Sequence, residues 1–224
     1  MFKSTLRAGL AFFALTGAVT LAQAIPLNGT FGIDIYQGDG LGDINNPEVQ
    51  ANAANPLITG TPVSGTYTGN LNFNVGLNTI GDFLNSGGGT NTFGAATLNS
   101  ILSAGGFGFT TVFVITGDVG SSILGGTITH DDGISLYDGL GFATTLISAP
   151  FPTVAAPSVY AGLTGAWKLI YVETNSVPAV LNFDVTSVSQ VPLPGALPLF
   201  ATGLGALGLL GWRRKRKDAA AKVA

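Results

Sequence analysis

Residues 107–116 read Phe-Gly-Phe-Thr-Thr-Val-Phe-Val-Ile-Thr, and this stretch indicates most directly how the chain folds. It is dense in apolar and β-branched side chains and carries no charge. A strand buried at the centre of a sheet has this composition. On its N-terminal side, residues 31–36 alternate between large apolar residues and small or polar ones. That period of two is typical of a strand with one buried face.

The alternation returns over residues 67–75, where Tyr67, Leu71, Phe73 and Val75 are interleaved with Thr and Asn. Clusters of Gly and Pro separate the apolar segments at short intervals, which is typical of β-sandwiches and barrels. The sequence therefore predicts a mostly β fold, a jelly-roll-like β-sandwich. Further strands are predicted over residues 122–129, 134–137, 142–147, 166–173 and 180–188.

One short helix is predicted within this β-rich region. Residues 93–104 place several Ala, Leu and Ile residues at roughly helical spacing, with Thr92 as an N-cap and Gly105 as a stop. Residues 37–64 are rich in Asn, Pro and Gly and are predicted to form long loops. Residues 186–192 are predicted to be a short linker.

The N-terminus has the layout of a secretory signal. Lys3 and Arg7 precede an apolar run over residues 8–21, and Ala22 and Ala24 form the small-x-small site that signal peptidase requires. Residues 1–24 are therefore predicted to be a signal peptide cleaved after Ala24. Such a segment is too short to remain as a membrane span.

The C-terminus has three parts in sequence order. Val191-Pro192-Leu193-Pro194 leads into the uncharged residues 195–212, which would span about 27 Å as a helix, close to the bilayer hydrocarbon thickness. We therefore expect one transmembrane helix over residues 195–212. The basic cluster that follows keeps the tail, residues 218–224, in the cytoplasm and leaves residues 25–190 on the other side. This cluster consists of Arg213, Arg214, Lys215, Arg216 and Lys217.

Residues 191–217 resemble the PEP-CTERM sorting signal of Gram-negative, biofilm-forming bacteria. The order of a Pro motif, a helix and a basic cluster is the same, although the family's Pro-Glu-Pro reads Pro192-Leu193-Pro194 here. The resemblance implies that the protein is anchored transiently in the inner membrane and processed by an exosortase. It then reaches the cell surface or the exopolysaccharide matrix. An ordinary C-terminal membrane anchor is the alternative.

The exported region is strongly acidic once both ends are set aside. The formal charge of the whole chain is −3, but residues 25–190 carry eleven acidic residues and one basic residue, Lys168, for a charge of −10. A surface of this sign repels nucleic acid and favours cations. The chain has no cysteine, so disulfides, thiolate metal sites and cysteine nucleophiles are excluded.

Residues 130–139, His-Asp-Asp-Gly-Ile-Ser-Leu-Tyr-Asp-Gly, hold the densest cluster of chemically useful side chains. Asp131 and Asp132 are adjacent, and their repulsion must be relieved by water or a cation. Carboxylate oxygens suit Ca²⁺, which accepts six to eight oxygen ligands in irregular geometry. The alternative is a pair of Asp-Gly turns closing a hairpin, with the side chains capping their own backbone.

The same residues, together with the segment 167–175, resemble the β-sandwich domain named for the anthrax protective antigen. The shared pattern is Asp-Asp-Gly, Leu-Tyr and Asp-Gly, followed by the closing strands within residues 167–183. In that family the Asp pair can hold Ca²⁺ in glycan-binding members, and other members use it structurally. The resemblance implies that Asp131 and Asp132 are candidate Ca²⁺ ligands, with Asn175 as a third.

Enzymatic activity is not expected. His130 is the only histidine, so a multi-histidine zinc site is excluded, and no nucleophile-elbow motif accompanies it. The sequence thus predicts an exported surface or matrix protein with a structural or interaction role. The alternatives are a Ca²⁺-dependent glycan-binding module and, more distantly, a secreted hydrolase that uses His130 as a general base.

Overall fold

A computed structural model describes residues 24–189. The predicted signal peptide, apart from Ala24, and the predicted sorting signal and cytoplasmic tail lie outside the described residues. Within residues 24–189 no helix has the length and apolar character needed to cross a membrane.

The described chain is mostly β, as predicted, and ten strands pair antiparallel in one hydrogen-bonded sheet. The strands are β1 Ile25–Pro26, β2 Asn28–Gly38, β3 Val63–Asn70, β4 Asn72–Val75, β5 Thr90–Asn91, β6 Thr110–His130, β7 Ile134–Asp138, β8 Thr144–Ala149, β9 Ala156–Glu173 and β10 Ala179–Ser189. The helices are α1 Ile80–Ser86 and α2 Ala95–Leu98, with 3-10 turns at Pro47–Val49, Pro56–Thr59 and Gly105–Phe107.

Two long central strands, β6 and β9, bend and run through both layers of a β-sandwich. The first part of β6 pairs with β2 and with the C-terminal part of β9, and its second part pairs with β10 and the N-terminal part of β9. The register shifts between Asp118 and Ile123, where Gly120 has a φ of 60°. This irregularity lets one strand serve two layers, because a bulge bends the strand that contains it. The segments predicted separately at 107–116 and 122–129 are therefore one strand.

An aromatic cluster joins the two layers. Trp167 of β9 lies 5.8 Å from Phe31 of β2 and 5.4 Å from Phe183 of β10, measured between ring centroids. Phe83 of α1 lies 5.1 Å from Phe113 and 5.6 Å from Tyr171. These rings belong to one buried cluster, so burial of their apolar surface is the main force that closes the sandwich.

The helix predicted over residues 93–104 is confirmed only in part. Only the single turn α2 forms there, and its N-cap, Gly94, makes no side-chain hydrogen bond. The segment that follows is extended instead, because Asn78 holds Ser103 by two hydrogen bonds of 2.8 and 3.1 Å. Thr92 accepts a hydrogen bond from the backbone N–H of Thr66 at 2.9 Å and caps no helix.

The main helix, α1, begins at a cap that the sequence analysis missed. Thr79 Oγ1 accepts a hydrogen bond from the backbone N–H of Asp82 at 3.0 Å and donates one to the Asp82 carboxylate at 2.6 Å. This reciprocal pairing satisfies a backbone donor at the helix start. The helix then buries Ile80, Phe83 and Leu84 against the sheet.

The loop over residues 39–62 covers part of the outer sheet face. Leu57 and Ile58 pack against a second apolar cluster that includes Val112, Ile170 and Val172. The loop has no long helix or strand, in agreement with the loops predicted over residues 37–64.

Candidate functional site

The end of strand β6 and the end of strand β9 meet at one end of the sandwich. Strand β6 ends at His130 and is followed by Asp131 and Asp132, while Asn175 lies just after the end of β9. His130 pairs with Leu181 of β10, which places the chain that leads into β10 beside the two aspartates. The three residues predicted as ligands thus line one cavity of about 320 Å³, here named the acidic pocket. Its other lining residues include Phe107, Thr153, Val154, Thr174 and Pro178.

Asp132 is held tightly at the base of the acidic pocket. Its backbone is left-handed, with a φ of 65°, and its N–H donates to the carbonyl of Thr153 at 2.9 Å. Its Oδ2 accepts a hydrogen bond of 2.7 Å from the backbone N–H of Thr174. Burial raises the pKa of Asp132 to about 7, although the hydrogen bond from the Thr174 N–H lowers this pKa by more than the nearby Asp131 carboxylate raises it. The hydrogen bonds to the Asp132 carboxylate therefore do not offset the free-energy cost of burying its negative charge.

Asp131 is less buried than Asp132, and burial also raises its pKa. Asn175 is exposed and left-handed, with a φ of 60°, and its Oδ1 accepts a hydrogen bond of 2.9 Å from the N–H of Gly106. A carbonyl oxygen has two lone pairs, so one remains for a ligand. Thr174 Oγ1 is buried without a hydrogen-bond partner and lies at the same pocket.

Glu173 is a buried acid that the sequence analysis did not single out as a site residue. Its Oε2 accepts a 2.6 Å hydrogen bond from the Tyr171 hydroxyl, and its Oε1 accepts one of 3.2 Å from Ser103 Oγ. Burial, followed by the nearby Asp132 carboxylate, raises the pKa of Glu173 to about 9. A single acid after the apolar run 169–172 was the one sequence signal that pointed to it.

His130 supports the backbone of the acidic pocket. It is buried, and its Nδ1 lies 2.6 Å from the carbonyl oxygen of Asp132. Its Nε2 lies 2.9 Å from Ser158 Oγ. Burial lowers the pKa of His130, so the ring is neutral at pH 7. We assign the Nδ1–H tautomer, which donates to the carbonyl while Nε2 accepts the serine proton.

This Ser158–His130 pair has the contact distance of a nucleophile and its base. The third partner is a backbone carbonyl, however, and Ser158 lies within strand β9 and not on a sharp strand-to-helix turn. The ring is almost fully buried, and its two hydrogen bonds join β6, β9 and the turn at Asp132. These hydrogen bonds hold the backbone turn at Asp132 against the two strands.

The chemistry of the acidic pocket suits a hard cation. Carboxylate, hydroxyl and amide oxygens line it, no basic side chain does, and Ca²⁺ prefers such ligands. Among the described residues no three His, Cys, Asp or Glu side chains converge as a metal cluster. A cation there would be held by Asp131 and Asp132, with neutral oxygens from Thr174 and Asn175 completing the set.

The chain is similar to the PA14 domain of the MpAFP antifreeze protein, with 13% identity and a TM-score of 0.40 over 74% of this chain and 84% of that one. No protein-family model matches the chain, and a search of curated proteins finds no significant match. The fold assignment therefore rests on the strand pairing and core described above.

Proposed function

We propose that this protein is an exported component of the cell surface or extracellular matrix, sorted and processed by an exosortase. Signal peptidase removes residues 1–24, and the helix over residues 195–212 holds the precursor in the inner membrane. The β-sandwich then acts as a structural or interaction module, associated with exopolysaccharide, and not as an enzyme.

The positions of the two ends of the described chain carry this proposal. Strand β1 runs antiparallel to β10, and Ile25 pairs with Val185 while Pro26 pairs with Asp184. The chain therefore enters and leaves the sandwich at the same end. Strand β10 has eleven residues, so the acidic pocket before Ala179 lies about 30 Å from Ser189. A domain tethered beyond Ser189 would present this pocket away from the membrane.

The charge of the exported region supports the same proposal. Eleven acids and one base give residues 25–190 a charge of −10, which repels nucleic acid and anionic lipid. A tethered domain with this charge stands off the membrane surface and attracts cations. Processing is tested by the intact mass of the protein from cells with and without the exosortase, and a loss of the C-terminal segment in the first strain alone is expected.

The second candidate function is a Ca²⁺-dependent glycan-binding module, and the acidic pocket favours it. Asp131 and Asp132 lie side by side in a cavity lined by further oxygen atoms, with the Thr174 hydroxyl left without a partner. A bound cation would neutralise carboxylates whose pKa values burial raises. Ca²⁺ would then both order the loop at Asn175 and offer open coordination positions to sugar hydroxyls.

Calcium is expected to stabilise the protein through Asp132. At a Ca²⁺ concentration about tenfold above Kd, binding is worth about 1.4 kcal/mol and raises the melting temperature by about 3–6 °C. Asp132→Asn keeps an acceptor for the Thr174 N–H but removes the charge, so the shift should vanish. Differential scanning calorimetry with Ca²⁺ and with EGTA measures it.

Asp184→Asn is the matched control, because Asp184 lies on β10 and does not line the acidic pocket. It should retain the full calcium shift. A melting temperature of the unmodified protein that is the same in Ca²⁺ and in EGTA would exclude the calcium-dependent module.

A further inference from the structure

A second candidate site lies on the outer face of the sheet. A cavity of about 330 Å³ lies there, between strands β2, β6 and β9 and the loop that carries Thr59. This cavity is here named the sheet-face groove. It shares no lining residue with the acidic pocket.

The floor of the sheet-face groove crosses three neighbouring strands. Gly32 of β2 pairs with Thr116 of β6, and Thr116 pairs with Lys168 of β9. Thr116 lines the groove, and Gly32 carries no side chain that would crowd it, because a Cβ atom there would lie only 2.7 Å from Thr116 Oγ1. Asp34 also lines the groove. Ser64 Oγ donates a hydrogen bond of 2.6 Å to Asp34 Oδ1 alone, so Asp34 Oδ2 is free to accept a hydrogen bond from a ligand.

Aromatic rings and the domain's single basic residue form the sides. Phe142 is 39% exposed, and the Lys168 ammonium lies 4.4 Å from the centroid of its ring. Within the described residues this ammonium is therefore held by an aromatic ring and not by a carboxylate. Tyr36 lies partly exposed towards the loop that carries Thr59. The groove thus combines two rings with hydroxyl, carboxylate and ammonium groups.

We infer that the sheet-face groove binds a chain of neutral pyranose sugars without a metal ion. A pyranose ring presents C–H groups on its face, which pack on aromatic rings, and hydroxyls at its edge, which both donate and accept hydrogen bonds. Asp34 accepts from such hydroxyls, Lys168 donates to them, and the threonines do both. The charge of −10 on the exported region opposes a polyanion, so a neutral polymer fits better than a uronate polymer.

This inference goes beyond the proposed function, because it names a site and a ligand class that depend neither on calcium nor on sorting. The exported protein would then hold exopolysaccharide along its sheet face, whatever the acidic pocket binds.

The test is affinity gel electrophoresis of the full-length protein in a nonionic detergent, with amylose, galactan, mannan or alginate cast in the gel. We expect retardation by at least one neutral polymer, unchanged by EGTA. Phe142→Ala and Lys168→Gln should each weaken it about tenfold, a loss typical of central contact residues. Phe151→Ala is the matched control, since Phe151 is 56% exposed but lies outside the groove.

Several results would overturn the inference. These are retardation by no neutral polymer, retardation by alginate alone, or undiminished retardation of the Phe142→Ala protein. Loss of retardation in EGTA would place the glycan at the acidic pocket, and would support the calcium-dependent module instead. Melting temperatures of the two variants within a few degrees of the unmodified protein confirm that folding is intact, as expected for residues on the outer face.

Discussion

Trp167→Ala is expected to lower the free energy of unfolding by about 3–5 kcal/mol, the usual cost of truncating a large buried aromatic side chain. Trp167 is fully buried and contacts Phe31 in one layer and Phe183 in the other. Its loss leaves a cavity where the two layers join. Urea unfolding, monitored by far-UV circular dichroism, gives the change.

Trp167→Phe is the matched control. Trp167 Nε1 is buried without a hydrogen-bond partner, so phenylalanine removes an uncompensated polar group as well as part of the ring. We therefore expect this variant to lose much less stability than the alanine variant. Equal losses in the two variants would contradict the assignment of Trp167 as an apolar contact between the layers.

Glu173→Gln is expected to stabilise the protein at pH 9 and to flatten the dependence of its stability on pH. The pKa of Glu173 is raised from 4.5 to about 9 in the folded protein. Between these values the folded state holds a proton that the unfolded state has released, so stability falls as the pH rises. The fall between pH 7 and 9 amounts to about 2 kcal/mol.

Glutamine resembles the protonated acid and keeps polar atoms for Tyr171 and Ser103, so the variant should lose most of this dependence. The measurement is urea unfolding in EGTA at pH 7, 8 and 9. This window avoids His130, whose lowered pKa costs stability below about pH 6.5. It begins at the pKa of Asp132, about 7, so Asp132 adds a small part of the slope in both proteins. Asp118→Asn at the exposed bend is the control. An unchanged slope in the Glu173→Gln protein would contradict the buried, protonated state.

Local patterns predicted most of the strands, because one buried face leaves a period of two in the sequence. Strand β2 follows the alternation over residues 31–36, and strands β7 and β10 lie within one or two residues of their predicted bounds. The bend in β6 was not predicted, since Gly and Ser near residue 120 have the same appearance in a bend and in a loop. Only pairing with both layers identifies it as one strand.

The predicted helix was too long for a related reason. The spacing over residues 93–104 was compatible with a helix, but the hydrogen bonds of Asn78 to Ser103 and the burial of Leu102 favour an extended chain. The longer helix, α1, has seven residues, which is too short to show a clear helical period in the sequence. The pair Thr79 and Asp82 was its recognisable sequence signal.

The candidate site was partly predictable. The resemblance predicted Asp131, Asp132 and Asn175 as neighbours, and the structure brings all three to one pocket. The buried state of Glu173, which does not itself line the pocket, could not be predicted, because its carboxylate is bound by Ser103, which is 70 residues distant in the sequence. The sheet-face groove likewise depends on register across β2, β6 and β9, which no single segment reveals.

The most direct test of the central claim, export followed by exosortase processing, is the intact mass of the protein recovered from exosortase-positive and exosortase-null cells. From the first strain we expect a chain that begins at Ile25 and lacks residues 195–224, and from the second a chain that begins at Ile25 and retains them. A protein with Gln at residues 213–217 should retain residues 195–224 in both strains. A Lys222→Gln protein should be processed like the unmodified protein. Retention of residues 195–224 in both strains by the unmodified protein would contradict the account.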